Sequence, residues 1–219
     1  MATIEERICD IPMDELTTAV DFALESLQMD KERVMKRYAD TYNETLARCH
    51  EDLKCQGIYK GFSVVSKSED EIELEGGVVL KSKKLAEVLH RADEIVAYAV
   101  TVNGHDELMA DPDLSMFENM FCNAWGVGFS MSAHRWFKKA IQKAARDADL
   151  YASRGWFPGE EGVELNLQNE LFELIDPSRI GISLSDTGVM TPVMSVNGFI
   201  GICADPAICN DGKDNAEQH

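Results

Sequence analysis

No apolar run in the 219-residue sequence approaches the roughly 20 residues needed to cross a bilayer. The opening residues, MATIEERICD, are charged where an export signal is apolar. These absences set the expectation of a cytoplasmic chain with no membrane contact. Basic residues are also scarce: 21 Lys and Arg face 39 Asp and Glu, a formal net charge of -18. A surface of that sign repels phosphate backbones and anionic lipid, which excludes general nucleic-acid binding. No G-x-G-x-x-G and no phosphate-binding P-loop occurs, so nucleotide binding of those kinds has no support. The six cysteines, Cys9, Cys49, Cys55, Cys122, Cys203 and Cys209, never take C-x2-C spacing. They read as thiols, with no metal site and no disulfide framework. GFSMS, from Gly128, has Ser132 where a nucleophile elbow needs glycine, and it falls inside a helical stretch, so it carries no hydrolase chemistry.

What is present is a packed globule. Hydrophobic residues make up 45% of the chain and aromatics 8%, enough apolar surface to offset the entropy of ordering. The length suits one domain. Residues 1–203 are read as that domain, with N-terminal helices over 1–55, sheet and long helix over 57–150, and a final segment over 151–203; residues 204–219 are read as a polar, fraying tail. Apolar residues at three- and four-residue steps predict helices over 14–27 and 31–53, the second capped by Asp30. GIYKGFSVV and EIELEGGVVL predict strands, the latter a hairpin about Gly76-Gly77. SKKLAEVLHRA predicts a short helix, and EIVAYAVTV a central strand ending at the Asn103-Gly104 turn.

The longest predicted helix spans 113–149, opened by a capping box of Ser115 and Glu118. Its broad apolar face predicts burial, and Gly126 and Gly128 predict close approach of another backbone. A further amphipathic helix, 165–175, ends at Asp176-Pro177. Helices and strands that do not alternate regularly predict an α+β domain with a mostly antiparallel sheet.

Two stretches carry candidate chemistry. His134, Arg135, Lys138, Lys139, Lys143 and Arg146 form a basic run in an acidic chain. It reads either as a dock for an anion or as solvated cations complementing a helix C-terminus, and the i,i+4 spacing favours the second. SRGWFPG joins Arg154 to two aromatics in a loop stiff at Pro158 and permissive at Gly155 and Gly159. Arg154 offers a planar fork to a carboxylate, and Trp156 or Phe157 a cover for a flat or cationic ligand; a plain structural turn fits equally well.

The segment IGISLSDTGVMTPVMSVNGFIGI, residues 180–202, is apolar enough for a core but interrupted by Ser, Asp, Thr and Asn. Together with the Arg154 loop and the Gln168 helix, it resembles the C-terminal half of the activation (reactivation) domain of vitamin B12-dependent methionine synthase. The matching positions are Arg154, Pro158-Gly159, Gln168, Ile180-Gly181, Leu184-Ser185-Asp186-Thr187, Val189-Met190, Pro192 and Ser195-Val196-Asn197-Gly198. A weaker likeness covers LAEVLHRADEIVAYAVTVNG.

The resemblance implies a single α+β domain with a bent antiparallel sheet flanked by helices. It implies S-adenosylmethionine as ligand, a corrinoid protein or corrinoid-dependent methyltransferase carrying cobalamin as partner, and a flavodoxin-like or ferredoxin-like electron donor. The task it implies is reductive methylation of inactive cob(II)alamin. Arg154 would grip the methionyl carboxylate, with Gly155, Trp156, Phe157, Pro158 and Gly159 on the adenosyl group or corrin rim. Ser185, Asp186, Met190, Ser195, Asn197 and Gly198 would form the adjoining wall. The sequence departs from the family at Glu160, where the family has Tyr, at Asp186 in place of Glu, and around Ser130 and Met131, where no carboxylate is available. Those departures open a second reading, a non-catalytic corrinoid- or partner-binding module that has lost S-adenosylmethionine.

Overall fold

Ten residues explain the architecture. The strand Glu94–Asn103, EIVAYAVTVN, is buried at every position except the last. Its alternate side chains feed two separate apolar cores, because successive residues of a strand point to opposite faces. Val96, Tyr98, Val100 and Val102 enter one core, and Ile95, Ala97 and Ala99 the other. In this computed structural model, which describes residues 2–160 and 162–210, everything else is arranged about that strand.

In chain order the elements are β1 (Arg7–Ile11), α1 (Ala19–Ser26), α2 (Lys31–Asp52), β2 (Lys54–Lys67), β3 (Glu71–Leu74), β4 (Val79–Lys81), α3 (Lys83–Val88), β5 (Glu94–Asn103), α4 (His105–Met109), α5 (Met116–Asp147), β6 (Tyr151–Ala152), α6 (Leu167–Ile175), β7 (Ser183–Leu184), β8 (Met190–Thr191) and β9 (Ser195–Cys203). The main sheet runs β4-β3-β2-β5-β9-β6, with β1 paired to β2. Every described pairing is antiparallel. Early in its length β2 pairs with β1, and at its far end with β3, across a register shift between Val64 and Ser66. A bulge of that kind sharpens the local twist and bends the sheet.

One face of the sheet carries α1, α2 and α5, and the other carries α3 and α6, with Ile72, Leu74 and Leu80 of β3 and β4 lining that second core. The α+β fold with an antiparallel sheet is therefore as the sequence predicts. The capping box at Ser115 and Glu118 is formed. The two glycines of α5 admit neighbours: a Cβ on Gly126 would lie 2.2 Å from the His105 ring, and one on Gly128 2.3 Å from the Ala19 carbonyl oxygen.

Three expectations are corrected. The predicted helix 14–27 is a 3-10 turn, Met13–Glu15, followed by α1 only from Ala19, since Thr17 and Thr18 are β-branched and cost χ1 freedom in a helix. The N-terminal quarter also holds strand β1, and α4 follows directly on the Gly104 turn. Within the stretch read as a tail, Pro206–Asn210 forms a 3-10 turn that buries Ile208, and Arg91 pairs with Asp205 at 2.9 Å. Residues 211–219 lie outside the described residues. The N-terminal segment is tied down by Glu94, whose buried carboxylate accepts from the backbone N–H groups of Thr3 (2.7 Å) and Ile4 (2.8 Å). Among the described residues, no helix is long and apolar enough to cross a membrane.

Candidate functional site

The Arg154 loop is the ragged continuation of edge strand β6 along β9. Ser153 donates its N–H to the Gly201 carbonyl at 2.8 Å, and Trp156 exchanges two hydrogen bonds with Phe199 at 2.9 and 2.8 Å. Between these anchors Arg154 and Gly155 stand opposite Ile200 alone, a bulge that turns the Arg154 side chain out of the ladder. Gly155 lies against α5 and β5: a Cβ there would fall 2.8 Å from Tyr98 Oη and 3.2 Å from Lys138 Cδ. Gly198 is its counterpart on β9, where a Cβ would meet the Trp156 carbonyl oxygen at 2.6 Å, Tyr98 Oη at 3.0 Å and Phe157 Cδ1 at 3.2 Å. Both glycines are needed for the loop to seat on the sheet.

The loop organises its own charges. The Arg154 guanidinium lies 3.4 Å from the centroid of the Trp156 ring, a stacking contact for which its planar group is suited. It pairs with Glu160 at 2.8 Å, and the other Glu160 oxygen accepts the Phe157 N–H at 3.3 Å. Arg154 Nε and Trp156 Nε1 are buried without a hydrogen-bond partner among the described residues. Buried donors of this kind usually have one.

Beneath the loop, Tyr98 Oη and His134 Nε2 are 2.9 Å apart, their rings stacked at 5.7 Å, with Phe157 edge-on to His134 at 5.2 Å. Burial first, then the charge of Lys138, lowers the His134 pKa to about 4. Burial pushes the Tyr98 hydroxyl up, and Glu160 adds to the rise. Lys138, one turn beyond His134, is half-buried and has no hydrogen bond or ion pair among the described residues. Its ammonium pKa is lowered by burial, then by Arg154 and Arg135, with Glu160 opposing. Three cations thus face one carboxylate here, in a chain of net charge -18.

The His134 environment carries a pH prediction. Its folded pKa lies below the unfolded value of about 6.5, so the unfolded state binds the proton more readily. Its contribution is complete above that value and is lost as pH falls from about 6.5 to about 4. The loss approaches ~3 kcal/mol. Denaturant titrations at pH 7 and pH 4.5 should show His134→Gln losing less stability over that interval than the parent chain; equal losses would refute the assignment.

The structure gathers some of the sequence-picked residues and separates others. Gly155, Phe157 and Gly198 meet over Tyr98 and His134. Trp156 turns to the opposite core. Gly159 and the turn at Gly188 both pack against the exposed Leu165, which brings the Pro158-Gly159 corner and the Ser185–Gly188 turn side by side. Ser185 and Asp186 are exposed in that turn, where Ser185 Oγ accepts the Val189 N–H at 3.0 Å. Asn197 is buried, with its amide on Met190 Sδ at 3.3 Å, while Ser195 Oγ donates to the Pro192 carbonyl at 2.7 Å and lies 2.8 Å from Thr101 Oγ1. The Thr191-Pro192 bond is cis, and Asp106 receives the next N–H, that of Val193, at 3.2 Å.

Tyr98 is not singled out in the sequence; His134 and Lys138 stand there only in a basic run read in favour of solvated cations, and Glu160 only as a departure from the resembling family. The signal for the α5 pair was their four-residue spacing within the basic run, which puts both on one helix face. Among the described residues no cluster of three or more His, Cys, Asp or Glu side chains suits a metal ion.

The site and its scaffold define an α+β domain with a bulged loop lying on a bent antiparallel sheet. Its architecture is that of the MetH reactivation domain. The crystal structure of that domain bound to AdoHcy superposes with a TM-score of 0.68 and 17% sequence identity, over 90% of this chain and 78% of the other. No protein-family model matches the sequence, and no curated protein matches it.

Proposed function

We propose that the chain is a stand-alone reactivation factor that binds S-adenosylmethionine at the Arg154 loop and assists reductive methylation of cob(II)alamin on a partner corrinoid methyltransferase. The carrying observation is the gathering of Arg154, stacked on Trp156, with Glu160 and Phe157 on one bulged loop above Lys138 of α5. The fold likeness to a domain that was crystallised with AdoHcy supports the reading.

The residues fit the ligand's parts. The Lys138 ammonium, unpartnered among the described residues and with Arg154 beside it, suits a carboxylate. Glu160, in the loop, offers the carboxylate that α5 lacks around Ser130 and Met131, and suits the ligand's ammonium. Arg154 Nε, a buried donor without a partner among the described residues, leaves a hydrogen bond to be made. When bound, the sulfonium supplies an electrophilic methyl group for a reduced corrin metal. This chain's residues bind and orient: Lys138 and Arg154 fix the amino-acid end, Trp156 keeps the guanidinium flat, and Phe157 over His134 keeps water from the floor of the site. The exposed turn Ser185–Gly188 with Val189 and Val193 forms the adjoining wall for a partner-held corrin. A flavodoxin-like or ferredoxin-like donor would supply the electron.

The closed Arg154–Glu160 pair favours one other reading, a module that binds a corrinoid partner without S-adenosylmethionine. The two part in one experiment. Millimolar S-adenosylmethionine should raise the melting temperature, by about 2.7 kcal/mol of stabilisation at 100 times the dissociation constant. Cob(II)alamin-loaded corrinoid protein should be remethylated faster when the chain, a reductant and the ligand are combined. No melting shift, with corrinoid-protein binding intact, would select the module; equal remethylation rates without the chain would defeat the reactivation role.

A further inference from the structure

Two thiols on facing helices answer no need of the ligand site. Cys49 of α2 and Cys122 of α5 are both fully buried in the core. They belong to the stripes by which the two helices pack. Beside them Trp125 Nε1 donates to Thr45 Oγ1 at 3.0 Å, and the Tyr42 ring stands edge-on to Trp125 at 5.0 Å.

A buried cysteine commonly packs as a small apolar group. These two do more, because their thiols are hydrogen-bonded to each other. The other two buried cysteines point their sulfur elsewhere, Cys55 to Met13 Sδ at 3.5 Å and Cys203 to the Asp205 carbonyl at 3.5 Å. Among the described residues, Cys49 and Cys122 alone set thiol on thiol. The bond also singles out the nucleophile. Hydrogen bonding from Cys49, opposed by burial and aided by the Arg48 charge, holds the Cys122 thiol below the usual range, while Cys49 is pushed up. Arg48 pairs with Asp111 at 2.6 Å and with Asp52 at 3.3 Å. Arg48 and Asp52, on either side of Cys49 along α2, line a cavity of about 380 Å³ together with Gly104, Glu107, Leu108 and Asp111. That cavity admits a small oxidant next to the helix turn that carries Cys49.

We propose that Cys49 and Cys122 are a dithiol–disulfide switch set by hydrogen peroxide, which fastens α2 to α5 when oxidised. Cys122 gives up its proton and attacks one peroxide oxygen; the O–O bond breaks, and the departing hydroxide takes that proton and leaves as water. The Cys49 sulfur then attacks the sulfenic sulfur, and its own proton leaves with the hydroxyl as a second water. Two thiols lose two electrons, and one peroxide is reduced to two waters. A dithiol reductant reverses the bond by exchange. The inference does not depend on the ligand reading.

Equimolar hydrogen peroxide added to the reduced, folded full chain tests it. Non-reducing peptide mapping should show Cys49 linked to Cys122. The melting temperature should rise by about 10 °C, since the bond closes a long loop. Dithiothreitol should return both readings to their starting values. Cys49→Ala and Cys122→Ala chains should each lack the link and the rise, and the map of the parent chain decides the matter even where a variant folds poorly. A map in which peroxide joins other cysteines, or leaves these two as thiols, overturns the proposal. So does a linked chain that melts with the reduced one.

Discussion

Gly198→Val is expected to unseat the Arg154 loop and to cost about 3–5 kcal/mol, the sum of forced overlap and two lost backbone hydrogen bonds. The first Cβ atom alone would stand 2.6 Å from the Trp156 carbonyl oxygen, a backbone atom that cannot rotate away. Relief requires pulling Trp156 from Phe199, whose reciprocal bonds measure 2.9 and 2.8 Å. The melting temperature should fall by about 10 °C, at 2–4 °C per kcal/mol for a chain of this size. Differential scanning calorimetry checks this. A variant that melts with the parent would mean that the loop does not lie on β9 at that point.

The second large effect concerns affinity. Lys138→Glu should weaken S-adenosylmethionine binding by at least about 100-fold, through loss of a charged hydrogen bond and introduction of a repelling carboxylate. Because Lys138 has no hydrogen-bond or ion-pair partner among the described residues, the substitution should leave the melting temperature of the ligand-free chain nearly unchanged. Isothermal titration calorimetry alongside a melt separates the two. Unaltered affinity in a normally folded variant would remove Lys138 from the site and leave the ligand's carboxylate to Arg154.

The fold was legible wherever local chemistry and tertiary demand agree. The Ser115 and Glu118 box opens α5, the continuous apolar run of β5 is the central strand, and Asp30 caps α2, its carboxylate accepting from Glu32 and Arg33. β1 escaped because RICDI has one buried position in five and no alternation to detect. Its place is fixed by register with β2, a partner more than forty residues away.

The site was legible in its loop and hidden in its floor. Arg154, Gly155 and Phe157 stand in one short motif. Tyr98, by contrast, occupies a run that reads as pure core, and it is core; only its hydroxyl, against His134, has another role. Lys138 looked like one solvated cation among several until the loop covered it. Glu160 looked like a departure from a resembling family, and its carboxylate proves to be the partner of Arg154.

β5 is a party wall. Its residues serve both layers by turns, and neither layer has a second strand buried so completely along its length. A truncation or insertion that strips one layer lays bare the backing of the other, so the chain tolerates no halving. Variation is confined to the rims, and the Arg154 loop is one of the rims it has.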